Sequence, residues 1–83
     1  AVSPVREGDR VIGYRIAPGA DRAAFDTFGF QSGDIVTAVN GLALSDASNT
    51  VKLYQTMKDA TQASFDIERD GGTVTVSVDL ASP

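Results

Sequence analysis

The 83 residues include eleven carboxylates, seven Lys or Arg and two tyrosines, but no histidine and no cysteine. No Ser-His-Asp triad, thiolate nucleophile or Cys/His zinc site can be assembled within such a chain. Asp66, Glu68, Asp70 and Gly71 imitate the start of a calcium loop. The twelfth position, where a bidentate Glu should close the site, is Ser77. A Ser–Lys dyad through Lys52 or Lys58 is formally open, yet both lysines sit where a helix shows its solvated side. No pair of carboxylates lies in an apolar run that would raise a pKa for acid–base work. The chain is therefore expected to be non-enzymatic and to need no cofactor and no metal.

Charge removes other classes. Net charge is −4, and the basic residues are scattered. Phosphate-backbone binding needs clustered Lys and Arg, so no nucleic-acid partner is expected, and no basic membrane-surface patch. The glycines lack the spacing of a phosphate loop. What is left is recognition through backbone groups and apolar surface.

The elements that must build such a surface can be read in order. Residues 1–9 read as a flexible lead-in, with Pro4, Gly8 and alternating charges. Arg10 to Ile16 is rich in β-branched and aromatic residues and reads as a strand, with Gly13 marking a bulge or a close backbone approach. Asp21 to Phe28 reads as a helix capped by Asp21, with Ala24, Phe25 and Phe28 on one face and Gly29 closing it. Ile35 to Val39 is a strand, Asn40-Gly41 a tight turn, and Leu42 to Leu44 a short return strand. Ser45 and Asp46 are candidate caps for a helix over residues 47–59. Its apolar stripe is Ala47, Thr50, Val51, Leu53, Tyr54 and Met57. Ser64 to Arg69 and Thr73 to Val78 alternate about Asp70-Gly71-Gly72 and form a hairpin with one buried face.

A strand edge at Gly13 to Ile16 beside the broad stripe of the second helix would make a groove for an extended peptide. The opposing reading is that the edge is covered and the stripe is all core, leaving a spacer or oligomerisation unit.

Length allows one small domain. Composition is that of a globular chain, 42% hydrophobic and 22% charged, although eleven of the hydrophobic residues are alanine and the core is thin. No run of about 20 apolar residues is present to span a membrane, and no secretory signal opens the chain. The first residue is Ala1 rather than methionine, so a processed or excised segment is expected. Absence of cysteine suits cytoplasm and periplasm equally.

The run Phe28-Gly29-Phe30-Gln31-Ser32-Gly33-Asp34-Ile35-Val36-Thr37-Ala38-Val39-Asn40-Gly41 resembles the central signature of bacterial PDZ domains. The order downstream, a helix and then a hairpin with an Asp-Gly turn, is similar to that family over about Arg10 to Leu80. Gly13-Tyr14-Arg15-Ile16-Ala17-Pro18-Gly19, followed by Asp21-Arg22, Phe25 and Gly29-Phe30, resembles the PDZ domain of the C component of type II secretion systems. The resemblance implies an α+β fold: a small, mostly antiparallel, partly open β-barrel or sandwich of five to six strands with two helices, of the bacterial circularly permuted type. It implies a PDZ domain over 10–80 and a tail at 81–83. It further implies a periplasmic domain of an inner-membrane protein, tied to the membrane only by an N-terminal anchor outside these residues. Exoprotein substrates or other secretion components would be its partners, and the isolated domain is expected to be a monomer.

By the same resemblance, Gly13, Tyr14, Arg15 and Ile16 match the carboxylate-binding loop and the ligand-pairing strand. Thr50, Val51 and Tyr54 match the groove side of the second helix. The chain departs from the family loop at Arg15, where a second glycine is usual, so an internal segment is as good a ligand as a C-terminal tail. Arg10 or Arg15 could supply charge. The alternative function is a regulatory, tail-sensing PDZ domain of a periplasmic serine protease.

Overall fold

Apolar residues that alternate at Phe65, Ile67, Val74, Val76 and Val78 call for a sheet with one buried face, and the computed structural model contains a six-stranded sheet. It describes residues 2–19 and 22–79. The elements are β1 (Val2–Glu7), β2 (Arg10–Ile16), α1 (Arg22–Thr27), β3 (Ile35–Val39), β4 (Leu42–Ala43), α2 (Asn49–Lys58), β5 (Gln62–Arg69) and β6 (Gly72–Asp79). The strands run β1-β2-β3-β5-β6, with β4 added to β3, and the pairings among the described residues are antiparallel. The sheet does not close: β1 and β6 are its two ends.

The expected lead-in is largely corrected. Val2–Glu7 is a strand, paired in register with β2 from Val2↔Ile16 to Val5↔Gly13. The hairpin turns at Gly8-Asp9, between the paired Glu7 and Arg10, with Gly8 at φ 63. Gly-Asp between two β-branched runs is a two-residue turn signal. Pro4 hid it, although a proline is tolerated on a sheet edge. The cap expected at Asp21, the side chain of Ala24, and the tail at 81–83 lie outside the described residues.

The two Asn-Gly and Asp-Gly turns adopt the positive φ that mirror-image hairpins require: 51 and 79 at Asn40-Gly41, 52 and 79 at Asp70-Gly71. Asn40 does more than turn. Its backbone N–H donates to the Ser64 carbonyl at 2.7 Å, and its side-chain oxygen accepts the Ser64 N–H at 2.8 Å. One residue thus ties the β3–β4 turn to β5.

The buried core is Val36, Ala63, Ile67, Val76 and Val78, with Ile16, Phe30, Val39, Leu44, Phe65 and Val74 packed against it. Helix α2 rests chiefly on β4. Asn49 on its first turn is buried and donates through Nδ2 to the Ala43 carbonyl at 3.0 Å. Of the expected stripe, Leu53 and Met57 are half-buried, whereas Ala47, Thr50, Val51 and Tyr54 are exposed. The helix begins later than expected because Asp46 acts outside it. Its Oδ1 accepts the Ser48 N–H and hydroxyl, an Asx turn that leads into the first helical residue.

Gly13 is a close-approach glycine. A Cβ there would lie 2.5 Å from the Val36 carbonyl oxygen, a backbone atom of the neighbouring strand. At Gly72 the nearest atom would be 3.7 Å away. Gly13→Ala is expected to destabilise the fold by about 1–3 kcal/mol, as overpacking against backbone does. Gly72→Ala should change stability by less than about 0.5 kcal/mol. Urea denaturation of both variants checks the contrast.

Candidate functional site

Residues 25–36 contain the sequence features that shape a cleft. Helix α1 ends in a Schellman motif: the Phe30 N–H reaches the Phe25 carbonyl at 3.3 Å and the Gly29 N–H reaches the Asp26 carbonyl at 3.1 Å. Gly29 sits at φ 93, the left-handed position that glycine fills without strain. The apolar contact that accompanies such a cap is present between Phe25 and Phe30, whose rings lie 5.8 Å apart. Phe30 in turn meets Phe65 edge-on at 5.5 Å.

Against this aromatic row lies a cleft of about 380 Å³. Phe25, Phe28 and Phe30 form its helical side, Ile16 and Ala17 continue it from the end of β2, and Val36 and Phe65 come from the sheet. Val2 of β1 completes the lining. Val2 and Phe28 are also among the exposed large hydrophobics. Every lining residue is apolar, so the cleft can offer dispersion and desolvation but no charge.

Position within the sheet decides which backbone groups are open. Ile16 donates its N–H to the Asp34 carbonyl at 2.9 Å and accepts the Gly33 N–H at 2.9 Å. Its backbone groups therefore face β3. Alternation along an antiparallel strand turns Arg15 and Gly13 toward β1. Those residues face Ser3 and Val5. Hence Ser3 and Val5 bond inward, and the backbone groups of Val2 and Pro4 face the open edge.

This geometry relocates the expected groove. Tyr14 is flanked by Pro4 and Val36, and Arg15 by Ser3 and Ile35, so β2 is an interior strand. No strand can be added beside Gly13 to Ile16; the open edge nearest them belongs to β1. Of the seven expected residues, only Ile16 lines the cleft. Gly13 is buried against Val36, and Tyr14 and Arg15 are exposed. Thr50, Val51 and Tyr54 lie together on α2 outside the cleft, with Val51 63% and Tyr54 75% exposed. The residues that sequence reasoning missed are Val2 and Pro4, concealed in the supposed lead-in, and the pairing of Phe25 with Phe30 through the helix cap.

A charged clamp supports the cleft from behind. Asp34, 2% exposed, accepts Arg69 Nε at 2.9 Å and Nη2 at 2.7 Å on its two oxygens, and also the Gln31 N–H at 2.8 Å. Arg69 Nη2 donates as well to the Gly29 carbonyl at 3.0 Å. The hydrogen bonds from Arg69, helped by that from Gln31 and by the guanidinium charge, hold the Asp34 carboxyl below the usual range despite its burial.

The pattern and the geometry together identify the chain. A family model for the PDZ domain matches residues 3–80, and the chain belongs to the PDZ family. It is similar to type II secretion system protein C of Vibrio cholerae, 43% identical over 70 residues that cover 84% of this chain and 23% of that protein. The chain thus spans about a quarter of the length of the curated relatives it matches. The solved PDZ domain of EpsC from Vibrio cholerae superposes with a TM-score of 0.84 at 39% identity, covering 95% of this chain and 91% of that one. The PDZ domain of the pullulanase C protein of the Klebsiella pneumoniae type II secretion system, solved in complex with a fatty acid, gives 0.87 at 34% identity, covering 96% and 82%.

Two outcomes are expected. A carboxylate with a lowered folded pKa contributes stability above its unfolded value of about 3.9. That contribution is lost as pH falls through the folded value. Asp34→Asn should therefore be less stable at neutral pH and flatten the acid limb of the stability curve; thermal melts from neutral pH to below pH 4 check this. Val51→Ala and Tyr54→Ala should each shift stability by no more than about 0.5 kcal/mol, because both side chains are already in water.

Proposed function

We propose that this chain is a non-enzymatic, periplasmic interaction module of the type II secretion machinery. It binds an extended segment of an exoprotein, or of another machinery component, by strand addition along the open edge of β1. One observation carries this reading: Val2, one of the two residues whose backbone groups face the open edge, also lines the apolar cleft. Side chains directly opposite across two strands share a face. A partner residue set against Val2 therefore projects toward Phe25 and Phe28. Backbone pairing would supply general affinity and the cleft would select a large apolar side chain. The exposed Thr50, Val51 and Tyr54 of α2 offer a further surface for a folded partner.

The kinship with protein C of type II secretion supports this reading over a protease-regulating domain. It also supports a place in the periplasm, as one domain of a protein anchored in the inner membrane. Affinity for a single segment should be modest, since one edge and one cleft must offset the ordering of the peptide.

Amide NMR titration with segments of secreted proteins tests the proposal. Shifts should cluster on Val2–Glu7, Ile16, Phe28 and Phe30. Phe28→Asp should weaken binding about tenfold or more, the loss of one apolar side-chain contact. Shifts confined to β6 and the Asp70-Gly71 turn would sink it.

A second reading follows from the chemistry of the cleft. Its size lies within the range of small-molecule sites, its lining is all apolar, and a related domain holds a fatty acid. An acyl chain would suit it. Laurate that shifts the same cleft residues and displaces a bound peptide supports a shared site; laurate without effect on Phe28 and Ile16 rejects the acyl reading.

A further inference from the structure

We infer that Pro4 makes the open edge of β1 selective for a foreign strand over a second copy of the chain. The inference rests on reading that edge as the site of strand addition. Within Val2–Val5 only Val2 and Pro4 turn their backbone groups outward, by the alternation that the Ile16 hydrogen bonds set. Val2 offers a donor and an acceptor. Pro4 offers its carbonyl alone, because the ring leaves no N–H.

The consequence differs between partners. A foreign strand without proline at the facing position loses one hydrogen bond, the one Pro4 cannot donate. An antiparallel second copy that overlaps both outward residues loses two. Either Pro4 faces its own equivalent and neither can donate, or each Pro4 faces Val2 of the other copy and two bonds are missing. A net backbone hydrogen bond corresponds to about a 2- to 12-fold change in affinity. Self-pairing therefore carries the handicap twice. Edge prolines are a recognised device against sheet-to-sheet association, and here the device sits beside the cleft. A foreign segment with an apolar side chain opposite Val2 gains the cleft contacts that offset its single lost bond. The favoured occupant is thus an extended foreign segment with an N–H facing the Pro4 carbonyl.

Sedimentation equilibrium of the 83-residue chain, Pro4→Ala and Pro4→Val decides the matter. Both variants should strengthen self-association about 5- to 150-fold, the effect of two restored bonds. Amide exchange should show new protection at Val2 and at residue 4 in the dimer. Two folded variants that self-associate no more than the parent would overturn the inference. So would unfolding of both variants, since an outward-facing Pro4 makes no bond to β2 that its replacement could break. The measurement uses no secretion partner. A negative result therefore removes the role of Pro4 while the NMR titration still judges the proposed function.

Discussion

The contact between Arg69 and Asp34 holds together the three segments on which the rest depends. Asp34 precedes β3, Arg69 ends β5, and the same guanidinium reaches the carbonyl of Gly29, the residue that closes α1. Gly29 lies between Phe28 and Phe30, both of which line the cleft. A charge pair is a poor way to gain net stability, because desolvation opposes its attraction. It is a good way to fix position. The bidentate fork allows one orientation, and losing either partner leaves the other without its match. The clamp therefore sets where the aromatic wall stands relative to the sheet.

A small core makes this positioning necessary. Among the described residues five apolar ones are buried, and the helices add little to them: α2 rests mainly on β4 and turns Val51 and Tyr54 to water. Helix α1 is six residues long and cannot be stable alone. It is kept by its Schellman cap, by the ring contact of Phe25 with Phe30, and by the Arg69 hydrogen bond at its end. Polar contacts of defined geometry do here what a larger hydrophobic interior would do in a longer chain.

Much of the architecture was legible from residues. Gly29, Asn40-Gly41 and Asp70-Gly71 carry their own backbone reasons, and the alternation at Phe65, Ile67, Val74, Val76 and Val78 reads directly as a buried face. Gly13 was legible as a close approach, though not the atom approached. What failed to show was pairing. Alternation says which face a residue takes but not which strand lies beside it, so β2 read as an edge although it is interior. Pro4 conceals the neighbouring strand, since a proline argues against a central strand although an edge strand tolerates it. On the second helix, periodicity marked Thr50, Val51 and Tyr54 as apolar-facing. Periodicity cannot say whether anything covers that face, and Asn49 is the residue of that turn which the fold buries.

The cleft and the core are not separate objects. Val36 and Phe65 line the cleft and also belong to the packed interior, and Ile16 joins it to the edge hairpin. An occupant therefore buries surface that the unliganded domain leaves half-covered. Any ligand that binds only the folded state stabilises it by mass action, and here the lining of the cleft is continuous with the packed core. Substituting Val36 or Phe65 would confound affinity with stability. Phe28 and Val2, exposed at the rim, separate the two, because the sheet packs without them. The same separation runs along β1: Ser3 and Val5 bond inward and keep the hairpin, while Val2 and Pro4 turn their backbone groups outward.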